Sequence, residues 1–104
     1  MYGSEFVCNK SQLFKYVEDR KALVSKIERF SAECDVENLL ESIERFHNLT
    51  SKISTISMEC LNQNHITLED YNRIRDETNE MYPRIKRMIN ENLKQRCDVE
   101  WYAV

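Results

Sequence analysis

The sequence predicts an all-α fold, an antiparallel three-helix bundle running up-down-up, and three observations predict it. First, 104 residues contain one glycine and one proline, Gly3 and Pro83. Sheet turns and phosphate loops draw on glycine at positive φ, which this chain does not supply, so a Rossmann or P-loop nucleotide site is excluded. Second, apolar residues recur every three or four positions through three long segments. Third, the polar stretches between those segments are short, and short connections force neighbouring helices to run antiparallel. A composition of 41% hydrophobic and 32% charged residues belongs to a single folded domain rather than a disordered tail.

The first helix is expected from about Ser11 to Glu33. Leu13, Tyr16, Arg20, Leu23, Ile27, Phe30 and Cys34 form its seam. Phe14, Val17 and Val24 widen that stripe and are expected to stay partly uncovered. Arg20 is the polar member, and its stem is expected to follow the seam while its charge reaches water. The pattern resets at "SAECDVEN", where Asp35 can accept the free N–H groups of the next helical turn. Val36, Leu39, Ile43, Phe46, Thr50, Ile53, Ser57 and Cys60 then carry the second seam. Its later half, "TSKISTIS", is rich in β-branched and hydroxyl residues, intrinsically poor helix formers.

"NQNHITLED" marks the second boundary. Thr67 caps the third helix with Asp70 at its third position, and Ile66 and Tyr71 are placed for a hydrophobic staple. The stripe continues from Leu68 through Ile74, Thr78, Ile85 and Leu93 to about Arg96. Pro83 interrupts this segment and removes a hydrogen bond to the Asn79 carbonyl. Because the stripe stays in phase across it, the sequence predicts one helix kinked at Pro83, with two helices and Pro83 in a first turn as the alternative. Residues 1–10 read as an N-terminal extension, 11–97 as the bundle and 98–104 as a tail. Within the extension, "GSEF" (Gly3 to Phe6) matches the translation of two adjacent cloning sites.

No catalytic constellation emerges, and the chain reads as a non-enzyme with no cofactor, metal or small-molecule substrate. His47 and His65 are the only histidines, and neither joins a nucleophile motif. Cys60 and His65 lack a second ligand pair for zinc. Glu44 and His47 make one Glu-x-x-His pair, whereas a di-metal bundle needs two. The four cysteines lie far apart without a CxxC, and they read as reduced thiols in an intracellular, cytoplasmic protein, with a nuclear one also allowed. No apolar run spans a membrane.

Net charge is −3, which opposes broad attraction to nucleic acid. Glu69 to Glu80 holds five acids and two arginines, and Met81 to Cys97 five bases and one acid. That polarity complements the helix dipole, so Arg84, Lys86 and Arg87 are a candidate docking patch for an acidic partner, not an expected phosphate track. Trp101, Tyr102 and Val104 in the tail, with Phe14, Val17 and Val24, are the other candidate partner-binding residues. Trp and Tyr bury large area for few frozen torsions. A protein partner, or a second copy in a homodimer, is expected. A small inhibitor or immunity-type protein that masks a partner's active site is the alternative.

"RKALVSKIERF", "ENLLESIERFHNLTSKISTI" and "EDYNRIRDETNEMYPRIKRMI" together resemble the helical region near the start of Gag-type polyproteins of BEL/Pao long-terminal-repeat retrotransposons. The shared features are an Arg-rich first helix ending in an "RF"-like aromatic, a leucine-repeat second helix, and an acidic third helix with a tyrosine partway. The resemblance spans about Arg20 to Asn90. It implies an element-encoded or domesticated assembly region with no catalytic residues.

Overall fold

A computed structural model of the chain describes residues 9–97. Three helices fill them: α1 (Lys10–Ala32), α2 (Val36–Asn62) and α3 (Leu68–Arg96). No strand occurs among the described residues. All three helices start on side-chain caps. The Asn9, Asp35 and Thr67 side chains accept from the backbone N–H groups of Gln12, Asn38 and Asp70. Each cap satisfies one orphan donor and contributes about 1 kcal/mol.

Both turns close in the same way. At the end of α1, Cys34 N–H reaches the Ser31 carbonyl (3.4 Å) and Asp35 N–H reaches Phe30 (2.9 Å). At the end of α2, Asn64 N–H reaches Leu61 (3.1 Å) and His65 N–H reaches Cys60 (2.8 Å). These are paired Schellman bonds, which need a left-handed residue just past the helix. Cys34 and Asn64 take that role at φ 62° and 60°. Cys34 therefore leaves the α1 seam on which the three-four spacing places it, and it is exposed.

α3 is continuous through Pro83, which lies on its exposed side. Of the two arrangements open from the sequence, one helix is the observed one. The next turn, with Ile85 and Ile89 buried, holds the segment helical despite the lost bond.

Two apolar clusters form the core. Around Cys60 they are Leu13 and Val17 of α1, Ile53, Ile56 and Cys60 of α2, and Ile66 and Ile74 beyond it. Around Cys97 they are Leu23, Ile27, Leu39, Phe46, Ile85, Ile89 and Leu93, with Tyr82 packed against them. Tyr82 meets Phe46 edge-on at 5.4 Å between ring centroids. Val17 is only 6% exposed, so the expected free flank of α1 is core at that position. The α1 stripe runs through Leu13, Val17 and Arg20, one step round the helix from the predicted Tyr16.

Thiol chemistry departs from the expectation. Cys34 and Cys97 form a disulfide with a Cα–Cα distance of 5.6 Å, across 63 residues of chain. Cys60 is disulfide-bonded as well. α1 and α3 run parallel, so the residue just past α1 and the cap of α3 arrive at the same end of the bundle. Spacing in the sequence carries no trace of that meeting.

Candidate interaction surface

A buried polar layer separates the two clusters. Arg20 is 0% exposed, and its Nη1 donates to Thr78 Oγ1 at 2.7 Å. Thr78 in turn donates to the Ile74 carbonyl at 3.0 Å. Arg20 Nε and Nη2 have no hydrogen-bond partner among the described residues. The expectation that its charge reaches water is thus overturned: α3 lies directly over the guanidinium and roofs it. Burial pulls the Arg20 pKa below its ordinary value, against opposing pulls from Glu77 and Tyr82. The layer links α1 to α3, and a hydrogen bond from Asn92 Nδ2 to Ser31 Oγ (2.8 Å) links them again nearer Cys97.

The surface features of most consequence are two charged faces. Between α1 and α2 runs a groove of about 430 Å³. Its lining includes the apolar Ala22, Leu23 and Leu49 beside Asn48, with Lys26, Arg45 and Lys52 against the single acid Asp19. The groove continues past Lys26 and Arg45 toward Arg29 and Glu41. Lys52 Nζ lies over the Tyr16 ring at 5.6 Å, which draws its ammonium along the α1–α2 seam. Neither Lys26 nor Arg45 joins an ion pair among the described residues. All three bases are exposed.

The second face belongs to α3 alone. Leu68, Glu69, Asp76, Glu77 and Glu80 surround a shallow depression with Asn72 and Arg73. Arg73 is neutralised locally by its contact with Asp70. Leu68, expected on the buried stripe, is 61% exposed here, while Tyr71 of the same turn packs against the Cys60 cluster.

The residues singled out from the sequence scatter over the molecule. Phe14 is exposed (39%), Val24 is half-buried against the Cys97 cluster, and Val17 lies in the core. Arg84, Lys86 and Arg87 are all exposed on α3. At 100° per residue, Arg84 and Lys86 lie on opposite flanks of buried Ile85, so the three do not make one track. Trp101, Tyr102 and Val104 lie outside the described residues. His47 Nδ1 sits 3.1 Å from the Tyr82 hydroxyl, and its ring stacks on that of Tyr82. His65 lies in the α2–α3 turn, in a different part of the chain. The bonded Cys60 sulfur is not a free thiolate for a metal site with His65. Among the described residues no cluster of three His, Cys, Asp or Glu side chains could hold a metal ion, and no helix is long and apolar enough to cross a membrane.

Sequence reasoning missed the groove. Lys26, Arg45 and Lys52 are ordinary surface residues in the linear chain, and only the α1–α2 hairpin brings them together. The one available signal was their spacing: Arg45 and Lys52 are seven apart, two helical turns on one face. No protein-family model, curated protein or solved structure matches the chain.

Proposed function

We propose that the chain is a non-enzymatic helical module for protein–protein interaction or self-assembly, and that it binds through the α1–α2 groove. The observation that carries this reading is the groove itself: an apolar lining walled by exposed cations, none of which joins an ion pair among the described residues. Unpaired charge around apolar surface gives a partner both burial and electrostatic selectivity. The Gag-type resemblance supports the same reading, since it implies an assembly region without catalytic residues. The disulfide favours an oxidising compartment for the folded chain over the reducing cytoplasm expected from cysteine spacing.

One observation favours a second reading. The acidic face of α3 suits a basic active site, as an inhibitor or immunity-type protein would offer. Such a protein works as a lone monomer.

The test immobilises the full chain and, beside it, a variant carrying Lys26→Ser, Arg45→Ser and Lys52→Ser. Circular dichroism first checks that both are equally helical. The expected result is a protein retained by the wild type, a tagged second copy included, and lost by the variant. Equal retention on both supports would overturn the groove as the binding surface.

A further inference from the structure

The proposed groove has an occupant of opposite charge within the same chain. We infer that the α1–α2 groove of one copy receives the acidic face of α3 of a second copy, so that copies join head to tail. The inference rests on the groove being the binding surface and names what fills it.

Charge complementarity is the first argument. The groove presents three bases to one acid, and the α3 face four acids to one base. That base, Arg73, already faces Asp70, and of the four acids Asp76 has a loose, exposed pair with Arg75 at 3.6 Å. Spacing is the second. Arg45 and Lys52 lie seven residues apart on α2, and Glu69 and Asp76 lie seven apart on α3, so each pair spans about 10 Å along its helix. Lys26 on the opposite wall stands ready for Glu80 or Glu77. Apolar fit is the third. Exposed Leu68 is a knob beside the acids, and the groove lining includes exposed Ala22, a side chain small enough to leave room for one.

The two faces are separate surfaces, one built by α1 and α2 and the other by α3. A copy whose groove is filled therefore still offers its acidic face, and a copy whose face is docked still offers its groove. Contacts of this heterologous kind do not stop at two copies: they close into a ring or extend as a chain. Their ion pairs lie at the surface, so the association weakens as salt screens them.

Light scattering after size exclusion, at low ionic strength and rising concentration, tests this on the full chain. One variant neutralises the groove (Lys26→Ser, Arg45→Ser, Lys52→Ser). Another neutralises the face (Glu69→Gln, Asp76→Asn, Glu80→Gln). The wild type is expected to grow in mass beyond a dimer and to fall back toward a monomer in high salt. Each variant alone is expected to stay monomeric. An equimolar mixture of the two is expected to form a one-to-one dimer and stop, because only one groove and one face remain intact. A monomeric wild type at high concentration overturns the inference, as does assembly by either variant alone or a wild-type mass that plateaus at two copies. A monomeric wild type that still retains another protein through its groove would overturn the second copy as occupant while leaving the interaction module standing.

Discussion

The Cys97 end and the Cys60 end of the bundle solve the same packing problem with different connections. At the Cys60 end, α2 and α3 follow one another through a short turn, and an aliphatic cluster of Ile53, Ile56, Ile66 and Ile74 fills the space between helices. At the Cys97 end, the connecting turn joins α1 to α2, and α3 reaches its cap at Cys97 beside it. There Phe46 is buried and Tyr82 packs against it, as Tyr16 and Tyr71 pack against the other cluster, and the helix is tied back by the Cys34–Cys97 bond. Among the described residues, the polar and covalent ties of α3 to α1 and its cap lie at or beyond the middle of the molecule on that side: Arg20–Thr78, Ser31–Asn92, Ser31–Cys97 and the disulfide. Parallel helices that are not sequence neighbours gain nothing from a short loop. The comparison teaches that polar ties and the Cys34–Cys97 bond substitute for it on this side, while the bonded Cys60 gives the other end a disulfide as well.

Removing the disulfide is the strongest way to break that comparison. A bridge closing a loop of this length restrains the unfolded chain by about 4 kcal/mol in the chain-entropy account. A chain with Cys34→Ser and Cys97→Ser is expected to melt about 15–30 °C lower by calorimetry. Hydrogen exchange is expected to speed up around Leu93 well before it does around Ile53, since the last turns of α3 lose their tie first. Equal acceleration at both ends would show that the bridge stabilises the bundle globally and is not a local clasp.

The caps and seams were legible because they are local. Asp35 and Thr67 accept hydrogen bonds from residues three positions on, a geometry any helix start supplies, and both do so here. Leu13, Ile27, Leu39, Ile53 and Leu93 are buried where helical periodicity puts them. What was not legible depends on a second helix. Arg20 was placed on the correct face, but its depth is set by α3 lying above it. Cys34 was counted into a helix that ends two residues earlier, and its partner is 63 residues away. Leu68 was read as buried from its phase alone, although it is Tyr71 of the first turn of α3 that packs against the core and Leu68 that stays exposed.

A smaller effect of opposite sign is expected at the layer dividing the two ends. Arg20 is buried with two donors unpaired by protein groups, and desolvating a charge costs several kcal/mol, which one hydrogen bond to Thr78 does not recover. Arg20→Met keeps the unbranched stem and removes the charge, and Thr78 retains its bond to Ile74. A gain of about 1–2 kcal/mol follows, seen as a higher denaturation midpoint at unchanged slope. The lowered pKa adds a pH check. The unfolded chain holds this proton more firmly, so the cost is fully present below the folded pKa and is relieved only as pH rises through it. The advantage of Met over Arg should accordingly be constant below that pKa and shrink as pH rises past it. A destabilised Arg20→Met chain would mean that the guanidinium is needed to join the two clusters.

The smallest expected effect separates the two turns, which share a hydrogen-bond pattern but differ in the residue that bends backward. Both Cys34 and Asn64 sit in the left-handed region. A Cβ there crowds the following carbonyl at a cost of about 1–2 kcal/mol for most residues, while asparagine visits the region more readily. Cysteine is therefore an expensive choice at position 34, and the bond to Cys97 is what offsets it. In a chain already carrying Cys97→Ser, placing Gly rather than Ser at position 34 should recover about 1 kcal/mol by denaturant titration. Asn64→Gly in the intact chain should gain only a few tenths, because asparagine carries little of that strain and glycine adds freedom to the unfolded state. Equal gains at the two positions would remove backbone strain from the account of why the ends differ. The bridge would then be explained by the missing loop between α1 and α3 alone.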